Sequence, residues 1–510
     1  MIAVLLKYWL VWQTEIVDAV DDPHEYVLQI LYPANGGLSY PPGTGLVGQL
    51  FREVGIPFRL SIETAFVVAT ILVVRALFCW PWQSYLALGL FLLTLFDTAP
   101  VELFSHLYSD QVWLIETMLG LALFVLAFRE EGKITWSFLL FAVGFFGLSE
   151  ITRSVTIPLI AGTNLFALLA LTLTLAKYRS KKLKRNMDRL AQTIPTLLAG
   201  ALIVYGGMSR YDYIHHGYTG MSYIDSSEYK NFYLSLQSVG DPSGVKYFPI
   251  DEDRRKLIAQ AGPNSAWFIG QLEANGFYKQ AGQNHYGRYD IPAGWFHWAT
   301  FAATMKDGDY MKAFAIFRSI EDEIDTANQQ GKLKVRSIAP LPDARLGIVM
   351  SALPTGLRLT IRRTVHEPAP SAFAGPGGPS RYVNPEFTKA LTRRTVTESP
   401  LRDNVWQNLA RVYAWIYTRA TFFLYVAALA GFLVALARQW KRIEEFSPKF
   451  IAQQLFNILF IVFFLWYALF DACGMPVTSR YMILNHVLLP LLIGYFARAT
   501  ERLVRGETEL

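Results

Sequence analysis

Two adjacent aspartates, Asp21 and Asp22, follow the first apolar stretch of the chain and precede a Tyr40-Pro41-Pro42-Gly43 turn. Carboxylates side by side repel each other, so such a pair suits the orientation of a cation, a hydroxyl or a phosphate-bearing ligand. The run Asp21-Asp22-Pro23-His24-Glu25 has a second reading, as a helix start with Asp22 as N-cap, Pro23 at the first helical position and Glu25 in the first turn. That reading leaves Asp21 and His24 without a task, and a cap would hold the aspartates in place for either role. His24 among three acids fits a hard divalent ion held by oxygens better than zinc.

Further candidates lie apart in sequence. Arg153 and Arg480 can grip a phosphate bidentately, and both map to the membrane face that carries the aspartates. Glu150 stands one turn before Arg153, so a local Glu150–Arg153 pair is the alternative for those two. Asp110, with Glu102, sits in a short loop ahead of an apolar run, either as a second acidic element of the site or as a solvated loop residue. The Tyr40–Gly45 stretch is strong turn chemistry, and it shares a loop with the aspartates, where it can shape a pocket floor. The chain has no Gly-rich phosphate loop, HExxH zinc motif or nucleophile elbow, and no internal repeat.

The elements that must position these residues are membrane spans. Of 510 residues, 52% are hydrophobic and only 17% charged, too apolar for a soluble enzyme of this length. Apolar runs near the ~20 residues that cross a bilayer fall roughly at 60–78, 84–98, 111–128, 134–150, 155–176, 191–207, 413–437, 451–472 and 479–497. The first segment, Ile2 to Gln13, is about a dozen residues interrupted by Lys7; it is read as a short or truncated first span, for which a start upstream of Met1 is one explanation. A cleaved signal peptide fits less well, because no small-residue cleavage site precedes the acidic pair.

Basic residues in short loops set the orientation. Lys177, Arg179, Lys181, Lys182, Lys184, Arg185 and Arg189 mark a cytoplasmic loop, as do Arg438, Lys441 and Arg442 and the tail with Arg502 and Arg505. With about ten helices, both termini are then cytoplasmic, and roughly residues 14–57, 99–110, 150–154, 208–412 and 473–478 face outward. The basic run beside spans reads as a topology determinant and not as a nucleic-acid patch, and the net charge of +6 adds nothing to it. Cys79 and Cys473 fall on opposite faces, which excludes a disulfide between them.

Residues 208–412 carry most of the polar content and form the expected extracytoplasmic domain, mainly helical and inserted before the last three spans. Apolar spacing from Trp295 to about Asn328 predicts two helices joined at Asp307-Gly308-Asp309, and Asp251-Glu252-Asp253 predicts another helix start. Residues 366–380, with four prolines, predict a loop. The flanking regions, 1–207 and 413–510, make up the membrane part.

The acidic pair after a first span, the Tyr-Pro-Pro-Gly segment, Tyr108-Ser109-Asp110 before a later span and Arg480-Tyr481-Met482 opening the last one together resemble the GT-C superfamily of integral-membrane glycosyltransferases. The resemblance lies near its protein O-mannosyltransferase and lipid A aminoarabinose transferase branch and covers roughly 1–207 and 413–497. The outer domain, with Gly294-Trp295-Phe296-His297-Trp298-Ala299, resembles that of uncharacterised bacterial members. What the resemblance implies is a polyprenyl-phosphate sugar donor used at the outer side of a bacterial inner membrane, with Asp21 or Asp22 as general base. A glycan, lipid or protein accepts the sugar. It further implies substrate contacts at His24, Tyr40, Asp110, Glu150, Arg153, Arg480 and Tyr481, with Arg480 and Arg153 stabilising the departing phosphate. No organic cofactor is implied; a divalent cation, Mg or Mn, would use Asp21, Asp22 and Asp110. Two other functions share these features: a polysaccharide polymerase or ligase, and a non-enzymatic polyprenyl-lipid flippase or transporter.

Overall fold

The computed structural model describes residues 1–11, 41–56, 58–78, 85–97, 109–128, 134–153, 202–211, 226–241, 247–304, 310–336, 353–361, 400–439, 448–472 and 479–506, with isolated positions between them. These residues are almost entirely helical, and two compact units divide the chain. The first comprises Met1–Tyr205, Ile361–Phe464 and Ser479–Leu510; the second comprises Gly206–Thr360 and Leu465–Thr478.

In the first unit the described helices are α1 (Ile2–Val11), α2 (Gly43–Val54), α3 (Phe58–Leu77), α4 (Tyr85–Leu95), α5 (Ser109–Leu126) and α6 (Trp136–Thr152). Among the described residues, five helical stretches are long and apolar enough to cross a bilayer: Phe58–Leu77, Ser109–Leu126, Thr421–Arg438, Lys449–Ala472 and Ile483–Val504. Helices α1, α4 and α6 are apolar but shorter. The span expected at 155–176 lies largely outside the described residues, as do Cys79 and Cys473, while of that expected at 191–207 residues 202–207 are described and helical.

Helix α5 is buried along its whole length, with α6 packed along one side and α3 along another. It opens with Ser109-Asp110, and a carboxylate in the first turn meets the positive end of the helix. Gly120 lets the α6 ring of Phe146 pack closely on α5, since a Cβ there would stand 3.3 Å from the ring. Helix α2 is amphipathic in an unusual sense. Gly43, Thr44, Gly45 and Gly48 are its buried face, while Leu46, Leu50 and Val54, at four-residue spacing, are exposed. Small residues allow close packing on one side, and the exposed leucine and valine stripe suits an apolar surrounding on the other. Its end is a left-handed Gly55 (φ 80°) whose N–H donates to the Arg52 carbonyl.

The second unit is built on α7 (Ser227–Ser238), α8 (Glu252–Ile258), α9 (Pro263–Ala274), α10 (Gly276–Tyr286), α11 (Ala293–Thr304) and α12 (Tyr310–Gln329). Its core is aromatic, with Phe232 stacked on Phe317 at 4.1 Å and Tyr223 packed beside Phe314 and Phe317. The α8 start expected from its acidic run is present: Asp251 caps the helix by accepting from the Arg254 N–H at 3.1 Å. Arg255 is buried and donates to Glu273, Asp290 and the Ile250 carbonyl, which satisfies a charge that burial would otherwise leave unpaired. Glu323 of α12 caps α9 from outside, accepting the backbone N–H groups of Asn264 and Ser265.

The chain continues with α13 (Pro400–Arg438), α14 (Pro448–Ala472), a 3₁₀ turn (Ser479–Met482) and α15 (Ile483–Val504). Helix α13 begins thirteen residues before the apolar run expected at 413–437, because its first turns are helical without being apolar. Helix α15 lies along α13.

Candidate functional site

Within the first unit, three elements bring sequence-distant residues together: the start of α5, the end of α6 and the 3₁₀ turn before α15. Helix α6 ends at Thr152, and Arg153 turns to extended backbone (φ −155°, ψ 123°) while its N–H still donates to the Ser149 carbonyl. That bend sends the Arg153 side chain off the helix. Its guanidinium forms an ion pair with Asp110 in the first turn of α5. The same group lies over the Tyr481 ring at 4.4 Å and near the Trp113 ring at 5.4 Å.

The burial is graded. The Asp110 side chain is 4% exposed, whereas the Arg153 side chain keeps 17%. A guanidinium fork carries five N–H donors in one plane, and here a carboxylate and two aromatic faces orient it. Such a group can bind a phosphate or carboxylate with little loss of side-chain entropy, because the stacking already fixes its plane.

The Pro-Pro-Gly turn reaches the same place. A Cβ on Gly43 would stand 2.3 Å from Thr152 Oγ1 and 2.7 Å from the Thr152 backbone, so only glycine allows α2 to start there. Thr44 is fully buried beside it. Thr152 also faces inward, toward the carboxyl of Glu116, which is buried two turns into α5. The start of α2 therefore packs against Thr152, the residue before Arg153.

Of the residues singled out in the sequence, Asp110, Arg153 and Tyr481 meet, and Glu150 is buried one turn before Arg153. Across the unit Arg153 pairs with Asp110, on another helix. Asp21, Asp22, His24 and Tyr40 lie outside the described residues, and for Arg480 only the backbone, in the 3₁₀ turn, is described. Trp113 and Thr152 were not anticipated. Trp113 was concealed by its position in a uniformly apolar run, although its place one turn after Asp110 was a readable sign.

Among the described residues no group of three histidine, cysteine or acidic side chains could hold a metal ion. Asp110, the only metal candidate described, has one carboxylate oxygen engaged by Arg153. A metal at this aspartate would share it with the guanidinium.

No protein-family model matches the chain, and no curated protein does. The solved structures similar to it include ArnT from Cupriavidus metallidurans in the apo state, at 13% identity and a TM-score of 0.32, covering 93% of this chain and 76% of that one. The same protein bound to undecaprenyl phosphate gives 12% identity and a TM-score of 0.31 over the same shares.

Proposed function

We propose that this chain is a membrane glycosyltransferase that moves a sugar from a polyprenyl-phosphate donor to an acceptor hydroxyl on the outer side of a bacterial inner membrane. The observation that carries the reading is the Arg153 guanidinium, partly accessible and oriented by Asp110 and Tyr481, with Gly43 of α2 packed against the neighbouring Thr152.

The chemistry explains why such an arginine is useful. A sugar linked to polyprenyl phosphate is a phosphodiester with one negative charge; when the bond from the anomeric carbon to the phosphate oxygen breaks, the lipid leaves as a monoester with a second. The acceptor oxygen forms the new bond to that carbon, and its proton passes to Asp21 or Asp22. Charge grows on the phosphate along the reaction, so a fixed cation stabilises the transition state more than the ground state. Arg153, with Arg480 from the turn that carries Tyr481, fills that role. An ordinary carboxylate is already ionised at neutral pH, so the base needs position rather than a raised pKa.

The test is transfer of radiolabelled sugar from a panel of polyprenyl-phosphate sugars to endogenous acceptors in membranes that hold the chain. Label reaching an acceptor from at least one donor, above membranes lacking the chain, is the expected result. No transfer from any donor would overturn the reading and leave lipid transport as its successor.

A further inference from the structure

A second group of charged side chains in the first unit is buried and separate from Arg153. Lys7 of α1 is fully buried, with its ammonium 3.2 Å from one oxygen of Glu63 on α3; Arg59, one turn earlier on α3, reaches the other Glu63 oxygen at 2.8 Å. The next residue of α1 repeats the attachment, Tyr8 donating through its hydroxyl to Thr64 at 3.0 Å. Asp97, just beyond α4, lies within electrostatic reach of Lys7 and 3.1 Å from the His486 ring nitrogen on α15. Four helical elements thus converge on five polar side chains, each at most 6% exposed.

Two cations share Glu63, and Asp97 brings a second carboxylate within electrostatic reach of Lys7 and beside His486. Such a group is a poor source of stability, since removing charges from water offsets most of their attraction. What it supplies is register: a lysine that must reach one buried carboxylate allows α1 a single height and rotation, whereas an apolar residue at that position would slide. Lys7 lies within the ten described residues of α1. In the sequence, nine residues lie between Val11 and the aspartate pair.

We propose that Lys7 and Glu63 are positioning residues for the reaction. They lock the register of α1, and through it the point from which Asp21 and Asp22 are presented to the acceptor. This rests on the glycosyltransferase reading. Neither residue touches substrate, and the lock acts through α1.

Two readouts test it on the full chain in detergent or nanodiscs. Spin labels at Trp9→Cys on α1 and Leu50→Cys on α2, both exposed positions, report the distance between the helices without needing activity. Lys7→Met should broaden that distribution, and Lys7→Arg should restore it. In transfer assays without the labels, Lys7→Met should lower kcat on the order of 10- to 100-fold with the donor KM little changed, again rescued by Lys7→Arg. An unchanged distribution in Lys7→Met overturns the lock, and a broadened one with unchanged kcat overturns its role in the reaction. Absence of transfer in the unsubstituted chain defeats the glycosyltransferase reading instead, while the distance measurement still judges the lock.

Discussion

The guanidinium carbon of Arg153 lies 4.4 Å from the centre of the Tyr481 ring, although 328 residues separate them in the chain. The contact joins the end of α6 to the turn before α15 and leaves the arginine oriented instead of free to swing. Arg153→Lys keeps the charge but loses both the planar stack and the fork. Transfer should fall on the order of 10-fold or more in Arg153→Lys and further in Arg153→Met, chiefly through kcat, because the charge that needs the guanidinium grows in the transition state. Tyr481→Leu should give a smaller loss, of about 0.5–2 kcal/mol in transition-state stabilisation. Steady-state kinetics with one defined donor check the order; equal rates for Arg153→Lys and the unsubstituted chain would remove the arginine from the phosphate site.

The Gly43 contact gives a stability prediction. Because two of the three nearest atoms to a new Cβ belong to the Thr152 backbone, Gly43→Ala cannot be relieved by a side-chain rotation. It should destabilise the first unit by about 1–3 kcal/mol, the usual range for overpacking. Adding Thr152→Ala removes the hydroxyl clash and leaves the backbone one, so the double variant should recover only part of the loss. Unfolding midpoints of the single and double variants, measured in the same detergent, check this.

Three of the long apolar runs were readable almost to the residue. Helices α3, α5 and α14 fall at 58–77, 109–126 and 448–472, close to the expected runs, because a helix among lipids and other helices is apolar on nearly every face. Helix α2 was not foreseen. Its glycines read as turn residues, and the Leu46, Leu50, Val54 stripe is short enough to pass for scattered apolar positions in a loop. The pairing of Arg153 with Asp110 was also beyond reach, since 43 residues separate them and local spacing pointed to Glu150. Lys7 looked like a defect in the first span; its burial against Glu63 explains the charge, and only the tertiary fold supplies that partner.

In α12, two acids two residues apart should respond to pH in opposite senses. Burial pushes the Glu321 carboxyl from its ordinary 4.5 up to about 7, aided by Asp322 and Asp325 and opposed by Arg318. The folded state therefore binds its proton more tightly than the unfolded chain, and stability from this group falls as pH rises between about 4.5 and 7. For Glu323, burial raises the pKa, but the N–H groups of Asn264 and Ser265 and their side chains more than offset it, holding it below the ordinary value. Its contribution is present above the unfolded pKa and is lost as pH falls through the folded one. Glu321→Gln should raise the thermal midpoint at pH 8 and not at pH 4, whereas Glu323→Gln should lower it at pH 8, by an amount that shrinks as pH falls below 4.5. Thermal unfolding of the full chain at the two pH values separates them, and shifts of the same sign at pH 8 would contradict the account.

The central claim is that an aspartate after α1 takes the acceptor proton. Sugar transfer by membranes holding the unsubstituted chain, Asp21→Asn or Asp22→Asn, at matched expression and with folding verified, tests it most directly. Loss of transfer on the order of 100-fold or more in one of the two, the size expected for removal of a general base, is the predicted result. Full transfer in both variants would contradict it, reducing the pair to a helix cap.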